Sequence, residues 1–247
     1  MKRYLDETES ILQSWAALSQ ADDMRLRAWK GDFAPAIDHT VLRADAGRDA
    51  ILQCCNEARE HGFASVCVNP LYVPLCAEAL TGSTVAVCTV IGFPLGASTG
   101  EIKAAEARNT ARNGAREFDM VMSVGRLKDG ALQDVFDDIR AVFTAAREET
   151  EHGLIKVIIE TCLLTDREKV LACLLARDAG ADYVKTSTGF STGGATSRDV
   201  RLMKLAVGEA ARVKASGGIR TRPEAINMLE HGADRLGTSA GITLITP

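Results

Sequence analysis

Gly180-Ala181-Asp182-Tyr183-Val184-Lys185-Thr186-Ser187-Thr188-Gly189 holds one structural unit in miniature. The leading glycine ends a helix, because a positive φ costs it little. The short apolar run that follows reads as a buried strand, and the hydroxyl-rich, glycine-ended turn reads as a loop. A lysine stands where strand meets loop. Gly232-Ala233-Asp234 repeats the same helix-to-strand turn, and Gly114-Ala115-Arg116 comes close to it.

Outward from that unit, the chain from residue 34 keeps one rhythm. Buried strands are predicted at Ala36-Ile37-Asp38 and over 63–68, 85–93, 118–124, 154–160, 183–187 and 212–215, with a weaker one at Arg235-Leu236. They are nearly continuous in apolar residues, as parallel strands covered by helices are. Alanine-rich, charged segments over 49–60, 101–113, 131–149, 166–178, 197–209 and 222–230 are predicted helices. Their starts carry capping-box patterns: Ser98 with Glu101, Thr165 with Glu168, Thr196 with Asp199, Thr221 with Glu224. Their ends carry Gly62, Gly114, Gly180 and Gly232. Eight strand–helix units in about 210 residues predict an α/β fold, a (β/α)8 TIM barrel over residues 34–247. No GxGxxG follows the first strand, which argues against a dinucleotide-binding sheet. Residues 1–33 are predicted to form an additional N-terminal helical extension, with Tyr4, Ile11, Leu12, Trp15 and Leu18 at helical spacing. It is expected to plug one end of the barrel; a subunit contact is the alternative.

The 247 residues, 46% of them apolar, can bury a full core. A net charge of −4 and only 5% aromatic residues argue against a nucleic-acid partner. Seven cysteines without a CxxC pair read as reduced, buried thiols of a cytoplasmic protein. Met1-Lys2-Arg3 runs at once into Asp6, Glu7 and Glu9, so an export signal is not expected. No apolar run approaches the ~20 residues that span a bilayer, and no membrane partner is expected.

In such a barrel, functional groups gather at the carboxyl ends of the strands. That rule collects Asp38, Asp119, Lys156, Glu160, Lys185 and Lys214. Three lysines in three successive predicted strands are unusual, because lysine is almost never buried unpaired. Either each ammonium emerges at a strand end into solvent, or the three form a cluster in which positive neighbours turn one amine into a nucleophile. The second reading is favoured. A free lysine has a pKa of ~10.4, so near neutral pH only a few molecules in ~10⁴ carry the reactive amine. Lowering it to ~7–8 raises that fraction by roughly two to three powers of ten, at a cost of ~3–4.5 kcal/mol to the charged form. Repulsion from Lys156 and Lys214 on flanking strands is the expected source. Asp119, alone in an apolar run, reads as a partner for a buried lysine, as half of a proton relay, or as both.

Ser216-Gly217-Gly218 and Gly237-Thr238-Ser239 follow the last two strands, where barrels bind phosphate through backbone N–H groups, and Gly189 adds a further amide. His61, His152 and His231 each precede a glycine and mark helix ends or loops. His39 follows Asp38 and could orient it, but a core hydrogen bond is the favoured reading. Without a convergent His/Glu set, no metal is expected. Cys67 and Cys88 read as small packed hydrophobes.

Six motifs stand in order: Ile37-Asp38-His39-Thr40, Ser65-Val66-Cys67-Val68-Asn69-Pro70, Gly92-Phe93-Pro94-Leu95-Gly96, Lys156-Val157-Ile158-Ile159-Glu160-Thr161, Lys185-Thr186-Ser187-Thr188-Gly189-Phe190 and Lys214-Ala215-Ser216-Gly217-Gly218-Ile219-Arg220-Thr221. Together they resemble deoxyribose-phosphate aldolase from about residue 36 to about 243. The resemblance implies a class I aldolase needing no cofactor, which reversibly cleaves 2-deoxy-D-ribose 5-phosphate to acetaldehyde and D-glyceraldehyde 3-phosphate. By it, Lys185 is the Schiff-base lysine, Lys214 and Asp119 are the proton-transfer pair, and Lys156, Asp38 and Thr186 support them. The implied phosphate ligands are Gly189, Gly217, Gly218, Gly237 and Ser239, and the expected assembly is a homo-oligomer, dimer or tetramer. Three departures accompany the match. Ser239-Ala240 stands where many relatives have paired serines. Arg43 stands where relatives often carry lysine, as a surface or entrance charge without an essential role. The chain stops at Pro247, without the longer tyrosine-ended tail of some relatives. A Schiff-base aldolase of different substrate, or a non-catalytic phosphate-ligand-binding barrel, are the alternatives; the second is weakened by the presence of Asp119, Lys185 and Lys214 together.

Overall fold

Eight parallel strands pair in sequence order and close on themselves: β1 (Ile37–Val41), β2 (Ser65–Val68), β3 (Ala86–Ile91), β4 (Glu117–Val121), β5 (Leu154–Ile158), β6 (Tyr183–Lys185), β7 (Arg212–Ser216) and β8 (Arg235–Thr238), with β8 against β1. Around them run α1 (Lys2–Leu18), α2 (Arg48–His61), α3 (Val73–Ala79), α4 (Gly100–Arg112), α5 (Val124–Lys128), α6 (Leu132–Glu149), α7 (Asp166–Asp178), α8 (Ser197–Val207), α9 (Arg222–Glu230) and α10 (Gly241–Ile245). The structure, a computed structural model, describes residues 1–21 and 23–246; Pro247, the expected last residue of the barrel, lies outside them. Among the described residues no helix is long and apolar enough to cross a membrane.

The near-continuous apolar strands follow from burial on both faces. Val66, Cys67 and Val68 of β2 and Ile155, Val157 and Ile158 of β5 have no exposed surface, one face filling the barrel and the other meeting helices. Several strands end earlier than predicted, at Ile91, Val121 and Ile158. Gly92 (φ 63°) and Glu160 (φ 56°) adopt left-handed backbone that cannot continue a strand.

Capping is mostly as written in the sequence. Thr165 and Thr221 form complete capping boxes with Glu168 and Glu224. Thr196 accepts from the Asp199 amide at 3.0 Å, but the Asp199 carboxylate turns to Lys169 at 2.6 Å, so the reciprocal bond is not made. For α4 the cap is Thr99, one residue beyond Ser98, and its hydroxyl accepts from the Ile102 amide. Helix α3 was not among the predicted helices. Pro74 falls in its first turn, where the missing N–H is harmless.

The N-terminal helix corrects an expectation. Instead of plugging an end of the barrel, α1 lies along α7 and α8 in the outer layer. Tyr4 and Trp15 are buried there, the Trp15 indole donates to Asp166 at 3.1 Å, and Arg177 pairs with Glu7 at 2.8 Å. The apolar stripe of α1 needs an apolar partner along its length, and the back of α7 supplies one. From there the chain passes α9, where the Leu26 amide donates to the Glu230 carbonyl at 2.7 Å.

Candidate active site

Successive strand residues face opposite sides of the sheet, so Glu117 and Asp119 share the inner face of β4. Register brings Asp119 beside Lys156, Lys185 beside Lys214, and Lys214 beside Arg235 across neighbouring strands. Closure of β8 on β1 adds Asp38. All these side chains are buried, most of them completely.

Asp119 is the hub. Its Oδ2 accepts from Lys185 Nζ at 2.7 Å and from Lys214 Nζ at 2.6 Å; its Oδ1 accepts from Lys156 Nζ at 2.8 Å and from the Cys88 thiol at 3.2 Å. Asp38 Oδ2 accepts from Lys214 Nζ at 2.5 Å, while its Oδ1 accepts from Arg235 at 2.5 Å and Ser65 at 2.7 Å. Lys156 also reaches Glu117 at 2.6 Å. The lysine nitrogens expected to converge do converge, on one carboxylate.

Burial by itself would push both aspartates up. For Asp119, Lys156, Lys185 and Lys214 overturn it and hold the carboxyl well below its ordinary value; for Asp38, Lys156, Lys214 and Arg235 do the same. The converse holds for the cations. Burial opposes the charge of Lys156 and Lys214, yet Asp119 and Asp38 outweigh it and raise both amines above the usual lysine value. This corrects the simple picture of repulsion between bare lysines, because every lysine pair here is bridged by a carboxylate. The residual effect is one of count: Lys156, Lys185, Lys214 and Arg235 face Asp38, Glu117 and Asp119, leaving one positive charge in excess.

The geometry gives three other residues definite places. The Thr186 hydroxyl donates to the Ser216 carbonyl at 3.0 Å and accepts from the Ser216 amide at 3.0 Å. It therefore ties β6 to β7 and supports the site through the backbone. Cys88 is no mere filler, since its sulfur lies 3.3 Å from Lys156 Nζ as well as against Asp119. His39 turns away from Asp38 and meets Glu57 at 2.6 Å, the hydrogen bond favoured for it over a contact with Asp38.

Above the cluster opens a cavity of ≈ 330 Å³ whose wall includes Lys185. Gly189, Gly217, Gly218, Gly237 and Ser239 all line it. Gly217 and Gly218 have φ of 86° and 83°, a backbone that other residues adopt only with strain. A Cβ on Gly194 would lie 2.3 Å from the Gly217 carbonyl oxygen, so the loops after β6 and β7 touch backbone to backbone. Arg43 and Arg220 stand at the same cavity; the first was expected at the surface or the entrance, and the second was not singled out. Glu160 also has a definite place. Its carboxylate accepts from the Thr188 hydroxyl at 2.5 Å and the Thr188 amide at 3.3 Å, and so fixes the turn that carries Gly189. Its left-handed backbone, rare for a non-glycine residue, is held by that contact.

Sequence reading did not single out Glu117 and Arg235. For Glu117 a signal existed, because it stands two residues before Asp119 and shares its face. Arg235 sat in the weakest predicted strand, and its partners lie 118 and 197 residues away in sequence.

The profile of the DeoC/LacD family aldolase matches residues 33–243. A deoxyribose-phosphate aldolase of Brevibacillus brevis is 59% identical over 210 residues, covering 85% of this chain and 93% of that protein. Another, of Listeria innocua, is 56% identical over 214 residues, covering 87% and 95%. The tetrameric structure of the deoxyribose phosphate aldolase of Aeropyrum pernix superposes with a TM-score of 0.80 at 30% identity, covering 99% of this chain and 96% of that one.

Proposed function

The chain belongs to the DeoC/LacD family of aldolases and is a class I aldolase of the deoxyribose-phosphate type; on that premise we propose that Lys185 is its Schiff-base lysine. The observation that carries the assignment is position. Of the three lysines gathered on Asp119, Lys185 is the one that also lines the cavity.

The neutral Lys185 amine adds to C1 of the open-chain sugar phosphate, and loss of water leaves a protonated imine. The imine draws electrons from the C2–C3 bond as the C3 hydroxyl gives up its proton. D-Glyceraldehyde 3-phosphate departs, leaving an enamine that is protonated at C2 and then hydrolysed to acetaldehyde and free Lys185. Asp119 and Lys214 are the groups that move these protons. Their contact at 2.6 Å, with Lys185 on the same carboxylate oxygen, makes the relay one carboxylate long. Lys156 and Asp38 keep that carboxylate and Lys214 ionised.

The phosphate is read into the glycine loops, where Gly189, Gly217, Gly218, Gly237 and Ser239 offer backbone amides and a hydroxyl. Arg43 and Arg220 add positive charge at the same wall. The partners are then a phosphorylated sugar and two aldehydes. Six buried free cysteines support a reducing, cytoplasmic setting. The tetrameric structure of the Aeropyrum pernix relative supports self-association, as a dimer or tetramer.

The test is acetaldehyde release from 2-deoxyribose 5-phosphate, with borohydride reduction and mass mapping of the modified lysine. The expected adduct is on Lys185, and Lys185→Ala loses both turnover and adduct. Full-stoichiometry trapping in that variant would refute the assignment.

A further inference from the structure

Two charged side chains of the barrel interior take no part in the steps above: Arg235 on β8 and Glu117 on β4. Both are buried, and neither lines the substrate cavity. Each nonetheless holds a member of the network that meets the reactive amine at Asp119. Arg235 contacts Asp38 Oδ1 at 2.5 Å, and the other oxygen of Asp38 contacts Lys214 at 2.5 Å. Glu117 contacts Lys156 at 2.6 Å, and Lys156 contacts Asp119 at 2.8 Å. Arg235 and Glu117 also meet each other at 3.4 Å, and the Tyr183 hydroxyl of β6 lies 3.5 Å from the guanidinium. Burial opposes the charge on Arg235, but Asp38 and Glu117 outweigh it and keep the guanidinium ionised.

We infer that Arg235 and Glu117 set, with opposite sign, the pH at which Lys185 becomes able to form an imine, acting as positioning residues through Asp38 and Lys156. The inference rests on the reading of Lys185 as the imine-forming amine. The charged groups facing that amine are Asp119 of β4, Lys156 of β5, Lys214 of β7 and Asp38 of β1, with the thiols of Cys67 and Cys88 on β2 and β3. Within this set two carboxylates face two ammonium groups, and behind them Arg235 and Glu117 add one charge of each sign. Taking the charge of Arg235 away makes a proton on the cluster easier to hold; taking the charge of Glu117 away makes it harder.

The size of the effect follows from distance. β8 and β4 each stand two strands from β6, on the order of 10 Å at ~4.8 Å per strand. A unit charge at that range, in an effective dielectric of ~20, moves a protonation midpoint by about one pH unit. A purely structural role, in which the pair merely fills the barrel interior, would lower thermal stability and leave the midpoint in place.

The experiment treats the full chain with acetaldehyde and cyanoborohydride across a pH series, and reads Lys185 modification by intact mass and peptide mapping. Arg235→Met is expected to move the midpoint up by about one unit, and Glu117→Gln to move it down by a similar amount. Arg235→Lys, which keeps the charge, leaves it near the wild-type value. Shifts of the same sign, or none, overturn the inference. If circular dichroism shows Arg235→Met unfolded, Glu117→Gln decides alone, and a midpoint that stays or rises overturns the proposal. Wild-type protein unmodified at Lys185 at every pH is a different outcome: it overturns the assignment of Lys185, and this inference with it.

Discussion

Replacing Asp119 by asparagine keeps the shape of the hub and removes its charge. Four donors converge on this side chain, three of them lysine amines within 2.6–2.8 Å, and no part of it is exposed. With asparagine the four cations face two carboxylates, and one oxygen that accepted from a lysine becomes an amide nitrogen that cannot accept. Breaking a buried ion pair in this way costs about 3–5 kcal/mol. At ~2–4 °C per kcal/mol for a domain of this size, the melting temperature should fall by on the order of 10 °C. Turnover should fall further than stability explains, by ~10²–10⁴, the usual contribution of a positioned proton carrier. The nucleophile itself remains. Asp119→Asn should therefore still be trapped at Lys185 by acetaldehyde and cyanoborohydride, while exchange of the acetaldehyde methyl protons with solvent deuterium slows in step with turnover. Circular dichroism establishes the folded fraction, a coupled acetaldehyde assay the rate, and NMR the exchange. A folded variant turning over within a few-fold of wild type would refute the argument that Asp119 carries the proton.

Three further outcomes follow from the same geometry. Stability should be flat between about pH 4 and pH 8 and fall on either side, the alkaline fall beginning where the Cys54 and Cys173 thiols, pushed up by burial in the fold, would ionise in the unfolded chain. Asp38 and Asp119, depressed in the fold, contribute fully above the unfolded value of ~3.9 and lose that contribution as pH drops through their folded values; Lys156 and Lys214, raised in the fold, contribute fully below ~10.4 and lose it as pH climbs beyond. Urea melts across pH test this, and a stability maximum confined to a narrow range near neutrality would contradict it. Gly218→Val should raise KM for the phosphorylated sugar roughly tenfold to a hundredfold, the loss of about one charged hydrogen bond. The cause is the left-handed backbone at φ 83°, since a Cβ there meets open space, and equal effects on the unphosphorylated sugar would count against the phosphate site. Trp15→Ala should cost about 3 kcal/mol by emptying the seam between α1 and α7, with kcat unchanged in the folded protein; a lost kcat would mean that α1 serves the site directly.

The architecture was written locally. Gly180-Ala181-Asp182 and Gly232-Ala233-Asp234 each specify a helix end and a strand start within a few residues, Thr165 and Thr221 cap their helices with partners three residues on, and apolar strands of even spacing leave a closed barrel as the way to bury both faces. Such signals need no knowledge of distant parts of the chain, and the lysines at the strand ends could be collected from them. Tertiary structure alone decided which charges meet. Arg235 reaches Asp38 only because β8 closes on β1, and the three amines share Asp119 only because barrel curvature turns β4, β6 and β7 toward one axis. The same holds for α1, whose apolar stripe predicts a helix but does not say which surface receives it. Periodicity and capping are short-range properties of a sequence. The charge count around an amine is a property of the closed barrel.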